Sequence, residues 1–186
     1  MVFVQPSIYG TDNSCLLGSL QHIGLEHGRG VVDFDSRTIS QKEIWKLHEQ
    51  GVRGVRVNLV SVGRNLNSEG LGDLLHAYAK AIKPMKTWQP EAYVHMSLTK
   101  DLVNIVPQLG VEFSIAHCGN PKIPAQSQQQ VDPYSITGFK NLRTFLDQGS
   151  TWVKVSGPYR LSQDPDMKDL EPLVRDMFDN APDRVC

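Results

Sequence analysis

Apolar positions along the chain follow two alternating rhythms. Short runs rich in β-branched and aromatic residues predict strands at Val2 to Val4, Gly30 to Asp35, Val52 to Val60, about Glu91 to Ser97, Val111 to His117 and Trp152 to Ser156. Between them, apolar residues recur at three- and four-residue spacing, which predicts helices. The first runs from Ser14 to Ile23, with Leu16, Leu17, Leu20 and Ile23 on one face and Gly24 as its stop. A second begins after Ser40, where Glu43 completes a capping-box pattern, and Gly51 closes it. Further helices are predicted at about Leu71 to Ile82, stopped by Pro84; from a Thr99 cap through Gln108; at Ile136 to Asp147; and at Met167 to Asn180.

Six consecutive strand–loop–helix units with no hairpin signal predict an α/β fold with parallel strands and right-handed crossovers. Six units can form an open doubly wound sheet, whereas a closed barrel of this kind needs eight. The loop CGNPKIPAQSQQQVDP is longer than a strand-to-helix connection requires and reads as a candidate lid. The 186 residues fit a single domain, 1–186, with a core of ordinary size.

Charge and composition narrow the partners. A formal net charge of −1 and the lack of any Lys/Arg run exclude nucleic acid and anionic membrane as expected partners, and no apolar run approaches the ~20 residues of a membrane span. Cys15, Cys118 and Cys186 are too scattered for a disulfide framework or zinc knuckle, so the expected setting is reducing and cytoplasmic. Nothing in the pattern fixes an oligomeric state.

The polar residues gather at strand ends. With a period of two, Gln5 and Ser7, Asp33 and Asp35, Arg56 and Asn58, Tyr93 and His95, His117, and Lys154 with Ser156 fall on one face at the C-terminal end of each strand, while Val, Ile and Phe fill the alternate positions. In an α/β fold that end is where ligands gather. Strand ends are also polar merely because they reach water. His117 ends the apolar strand FSIAHCG and has the chemistry to polarise a carbonyl or move a proton, or else it is a satisfied structural histidine. Arg53 and Arg56 are three apart and face opposite sides, so Arg56, in phase with Asn58, is the candidate ligand contact. Arg56, Lys154 and Arg160 would form a cationic pocket fitted to a small anionic substrate, the alternative being structural pairing with Asp33 and Asp35. His22, His27, His48 and His76 read as solvated or boundary residues, and Cys118 as a buried thiol. No histidine pair has HxH or HxxxH spacing, so no metal site is predicted.

Taken in order, VQPSIYGTDNSCLL, GVRGVRVNL, AHCGNP, WVKVSGPYRLS and APDRV resemble the amidohydrolase-related family, in its 2-pyrone-4,6-dicarboxylate lactonase-like branch. The resemblance covers nearly the whole chain. It implies a (β/α)8 TIM barrel, here incomplete, with about six βα units and the first and last strands missing. By position it implies that Arg56 and Arg160 bind substrate carboxylates and that Tyr93 and His117 polarise a lactone carbonyl. Tyr9 and Asn13 fall in the matching loop after the first strand, and Asn58, Lys154, Ser156 and Tyr159 complete the expected substrate contacts. That branch works without a metal cofactor, whereas related branches use zinc.

The resemblance also implies a water-activating aspartate in a WGSDWPH-like segment and an HxH pair on the first strand. Neither motif occurs in the 186 residues; the family's usual Asp-His is Ala116-His117, and an arginine found in some members is Asn120. The expectation is therefore a hydrolase of a carboxylated lactone or related cyclic ester or amide whose activity, in this chain, is doubtful and which is prone to aggregate through open strand edges. The rival expectation is a non-catalytic barrel remnant that binds a small anion or a partner. A nucleotide-binding flavodoxin-like fold fits less well, because no strand is followed by a glycine-rich phosphate loop.

Overall fold

A computed structural model describes residues 1–124 and 131–186. The chain forms two compact units, Met1–Ala92 with Leu109–Glu112, and Tyr93–Gln108 with Phe113–Cys186.

In the first unit, strands β1 (Val2–Val4), β2 (Arg29–Val32), β3 (Val52–Asn58) and most of β4 (Gln89–Tyr93) follow one another in chain order. Val4 pairs with Val31 and Val32 with Val55, both in parallel register. Parallel neighbours need long crossovers, which helices α1 (Ser14–Ile23) and α2 (Gln41–Glu49) provide; α3 (Ser68–Ile82) leads from β3 to β4. Glycine sets how closely these layers meet. A Cβ on Gly30 would lie 2.9 Å from methyl carbons of Leu16 and Leu20, so α1 rests directly on β2, and one on Gly54 would lie 2.9 Å from the Gln89 carbonyl oxygen of β4. Leu20, Ile44, Leu71, Leu75 and Trp88 are fully buried in this unit.

The second unit holds β5 (Phe113–Ile115) and β6 (Thr151–Val153), paired in parallel from Phe113 with Thr151 to Ile115 with Val153. Backbone bonds extend this ladder past both strands: Lys154 donates its amide to the Ile115 carbonyl (2.8 Å), and Cys118 donates to that of Lys154 (3.0 Å). Val153 also pairs in parallel with Val185 on its other side. Around them lie α4 (Thr99–Ile105), α5 (Phe139–Gln148), the single turn α6 (Pro158–Leu161) and α7 (Glu171–Asn180), with Leu102, Phe113, Phe139, Phe145 and Met177 at the centre of the core.

The predicted capping box is present: the Ser40 hydroxyl accepts from the Glu43 amide (3.2 Å), while the Glu43 carboxylate accepts from the Ser40 amide (2.9 Å). β1 and α1 have the predicted bounds. Other boundaries move. Strand β2 ends at Val32 rather than Asp35, and β3 ends at Asn58. Strand β4 covers Gln89–Tyr93 rather than Glu91 to Ser97, because Met96–Leu98 winds into a short 3-10 turn that leaves His95 outside the strand. Helix α3 starts a turn earlier, at Ser68, because the Asn67 side chain accepts from the Gly70 amide (2.9 Å) and caps it. Thr99 is not a cap: it lies inside α4, fully buried, with its hydroxyl 2.7 Å from both the Met96 and Gly138 carbonyl oxygens.

Gly138, at φ +94, delays α5 to Phe139, and Met167, at φ +58, sits before a 3-10 turn that delays α7 to Glu171. Of the candidate lid, residues 125–130 lie outside the described residues. His48 also differs from its expected solvated role: its Nδ1 accepts a hydrogen bond from Nε1 of Trp88 (3.0 Å), a ring that is 2% exposed.

Candidate active site

The C-terminal end of the strands carries one polar cluster in each unit. In the first, the chain leaves β1 into a 3-10 turn, Ser7–Tyr9, and Ser7 meets the end of β3. The Arg56 guanidinium donates to the Gln5 carbonyl (2.5 Å) and to the Ser7 hydroxyl (3.0 Å), and the Asn58 amide donates to that same hydroxyl (2.7 Å). Arg56 and Asn58 thus share a face, as the two-residue period predicts. Arg53 does face the other way: its guanidinium reaches the His48 carbonyl oxygen (2.9 Å).

Asp33, just past β2, completes this cluster. Burial raises its carboxyl above the ordinary value, while a backbone hydrogen bond at Phe34 and the nearby Arg56 charge pull it back less strongly. Asn13 is committed to the backbone. It donates to the Asp33 carbonyl (2.8 Å) and accepts from the Asp33 amide (3.0 Å), which ties the loop after β1 to the end of β2. Tyr9 stands on the 3-10 turn, half exposed.

The second cluster is built around His117. Residues His117, Cys118, Gly119 and Asn120 all have positive φ (55°, 52°, 75° and 49°), a left-handed run that ends β5 and brings the imidazole to Ser156, beyond the end of β6. Such a conformation in non-glycine residues is strained and persists only where its surroundings hold it. The holding bonds are the Cys118 amide to the Lys154 carbonyl (3.0 Å) and the Asn120 amide to the His117 carbonyl (2.7 Å).

Against the His117 ring stands Tyr93, with centroids 4.5 Å apart and planes at 72°. Nδ1 of His117 lies 3.0 Å from the Ser156 hydroxyl and 3.2 Å from the Ser156 carbonyl oxygen. Arg160, on α6, is hydrogen-bonded to Tyr159 and to Tyr93; these contacts raise its pKa and keep the guanidinium cationic. It also lies 5.7 Å from the Tyr159 ring centre.

The structure thus brings Tyr93, His117, Ser156, Tyr159 and Arg160 together in the second unit, and Arg56 with Asn58 in the first. Lys154 serves the β5–β6 ladder through its backbone and is half-buried. His95 is exposed and accepts from the Asn120 side chain (2.8 Å). Cys118 is 1% exposed, and burial pushes its thiol up to about 11, which disfavours the thiolate. Two features go beyond the sequence reading: the burial of Glu91, a carboxylate on β4, and the close approach of the turn residue Gly157, at φ +63, where a Cβ would lie 2.9 Å from Nδ1 of His117. A carboxylate within a strand and a glycine directly after its end were the available signals.

Among the described residues, no group of three His, Cys, Asp or Glu side chains is placed to hold a metal ion, and no helix is long and apolar enough to cross a membrane. Chemically, the second cluster offers a phenol as donor and an imidazole that donates or accepts according to its protonation, beside a guanidinium, and the first offers a second guanidinium.

Comparison with known proteins gives a consistent result. A family model described as amidohydrolase matches residues 1–186. The 2-pyrone-4,6-dicarboxylate hydrolase of Comamonas testosteroni is 28% identical, with 99% of this chain and 59% of that protein aligned. The 4-sulfomuconolactone hydrolase of Hydrogenophaga intermedia is 27% identical, with 99% and 57% aligned. The chain therefore spans less than two thirds of the length of these curated relatives.

A solved structure from Pseudomonas putida, assigned as a 2-pyrone-4,6-dicarboxylic acid hydrolase, superposes with a TM-score of 0.79 at 29% identity, covering 99% of this chain and 64% of that one. Another so assigned, from Acinetobacter baumannii and holding citric acid, gives a TM-score of 0.71 at 26% identity, covering 99% and 65%. The fold is α/β, an incomplete (β/α)8 barrel whose six βα units match part of these longer chains.

Proposed function

Since the chain belongs to the amidohydrolase family, we propose that it carries the carboxylate-binding and carbonyl-polarising groups of a hydrolase that opens a carboxylated lactone. The observation that carries this reading is the contact of Tyr93 with His117 beside Arg160, in the second unit. Hydrolysis of a lactone passes through a tetrahedral intermediate whose oxygen becomes an anion. Donors already in place where that charge develops lower the barrier, because little reorganisation is needed as the reaction proceeds.

Tyr93 supplies an O–H for that oxygen, and His117 a ring nitrogen that donates to it once protonated. Arg160 holds a substrate carboxylate through its planar fork, with Tyr159 as a neighbour, and Arg56 with Asn58 offers a second such site. Lys154 and Ser156 lie in the segment between β6 and α6, which carries Arg160, and Tyr9 and Asn13 follow β1 in the segment that carries Ser7. Two relatives with lactone-hydrolase names, one of them acting on a dicarboxylate, and a neighbour that holds citric acid support a small polycarboxylate as the substrate class. The compartment is cytoplasmic on this reading. The 186 residues contain no WGSDWPH-like segment, so no side chain here is assigned the activation of water, and turnover is expected to be lower by about two to four powers of ten than with such a base.

Titration calorimetry with a pyrone dicarboxylate and with the uncharged pyrone tests the reading. Binding of the dicarboxylate alone, weakened at least about tenfold by Arg160→Ala, is expected from loss of a charge-assisted bond. Equal affinity for both ligands, or no effect of the substitution, would overturn it.

A further inference from the structure

Building on that role for His117, we infer that the Ser156–Gly157 peptide is its positioning element and fixes the ring proton on Nδ1, which leaves Nε2 as the nitrogen that works on substrate. Two atoms of Ser156 stand at Nδ1, the carbonyl oxygen at 3.2 Å and the hydroxyl oxygen at 3.0 Å. A carbonyl oxygen only accepts. A lone pair on Nδ1 would face the carbonyl lone pairs and be repelled, whereas an N–H there satisfies the carbonyl and can be shared with the hydroxyl. The hydroxyl adapts to either ring form, so at Nδ1 the preference comes from the carbonyl.

The sequence makes this approach possible in two ways. The β5–β6 ladder runs on through the Lys154 amide and carbonyl, which sets Ser156 opposite the left-handed run that carries His117. Gly157 then takes φ +63, and a Cβ there would sit 2.9 Å from Nδ1 and 3.4 Å from Cε1 of His117. Only glycine both adopts that backbone conformation without penalty and leaves room for the ring. Ser156 therefore serves the reaction through His117 rather than through substrate.

The assignment divides the labour within the cluster. In the neutral ring Nε2 carries the lone pair, so it accepts a proton, and it donates to a carbonyl oxygen only after gaining one. The Tyr93 hydroxyl, against the same ring, is then the donor that needs no prior protonation.

Two-bond proton–nitrogen correlation spectra of the 186-residue chain, labelled with ring-15N histidine, test the proposal, with His117→Gln to assign the signal. At a pH where the ring is neutral, the expected pattern is a protonated Nδ1 and an unprotonated Nε2. Ser156→Ala keeps the carbonyl and is expected to keep this tautomer; Gly157→Ala is expected to give a mixture of tautomers. An Nε2-protonated ring in the unaltered chain, or a switch to that form in Ser156→Ala, would overturn the proposal. The readout is independent of turnover, so a chain with the expected tautomer that binds no carboxylated lactone would sink the functional reading and leave this assignment standing.

Discussion

Arg56 and Ser7 are joined by a 3.0 Å hydrogen bond from guanidinium to hydroxyl, across 49 residues of sequence, and the Asn58 amide donates to the same oxygen at 2.7 Å. One hydroxyl thus fixes the end of β3 and orients the proposed carboxylate ligand. Replacing it leaves two donors without that acceptor. Ser7→Ala is expected to cost about 1 kcal/mol in urea unfolding. It should also weaken carboxylated-lactone binding, and a variant with unchanged stability and affinity would show that Ser7 holds neither side chain.

The Asp33 carboxyl, raised by burial, carries a pH signature. A carboxyl whose folded value lies above its unfolded value holds its proton more tightly in the fold, so folding stability falls as pH rises through that window and stays reduced above it. Asp33→Asn removes the cost. The variant is expected to gain on the original chain in denaturant midpoint as pH rises from below the ordinary carboxyl value to neutrality. A pH-independent difference between the two would refute the burial argument.

His48 works in the opposite direction. Burial, and then the Arg53 charge, lower its pKa from 6.5, and its neutral Nδ1 accepts from buried Trp88. The folded state disfavours the protonated ring, so its contribution is present above the unfolded value and is lost as pH falls through it. His48→Gln, which does not titrate, should therefore lose less stability than the original chain between neutral pH and about pH 5. At neutral pH, His48→Ala is expected to cost about 1–3 kcal/mol by stranding the indole N–H. Trp88 fluorescence during unfolding reads both.

How much of this was legible in the sequence depends on what each residue answers to. The Ser40–Glu43 box and the phase of Arg56 with Asn58 are local, and their spacing alone exposes them. The Trp88–His48 bond joins residues 40 apart, and nothing local distinguishes that histidine from a solvated one. The left-handed run at His117 to Asn120 was hidden for a different reason: FSIAH reads as a continuing strand, and the bonds that turn it come from Lys154 and from within the run itself. Strand ends were overestimated wherever such tertiary bonds replaced the ladder.

Gly138 and Gly63 form a matched pair for backbone tests. Both have positive φ, but a Cβ on Gly138 would collide with the Met96 carbonyl and crowd the Thr99 hydroxyl, whereas one on Gly63 meets nothing within 4 Å. Gly63→Ala is expected to cost about 1–2 kcal/mol from conformation alone. Gly138→Ala must also displace the Met96 backbone and is expected to cost roughly 4 kcal/mol or more. Similar melting temperatures for the two variants would contradict the close approach of α5 to the Met96 turn.

The most direct test of the central claim is the rate of ring opening of a pyrone dicarboxylate, followed by loss of ring absorbance, with the 186-residue chain, its His117→Gln variant and buffer alone. The account predicts a slow but measurable acceleration over buffer, cut by about 100-fold in the variant through loss of a polarising group. A rate equal to that in buffer, or one that His117→Gln leaves unchanged, would contradict it.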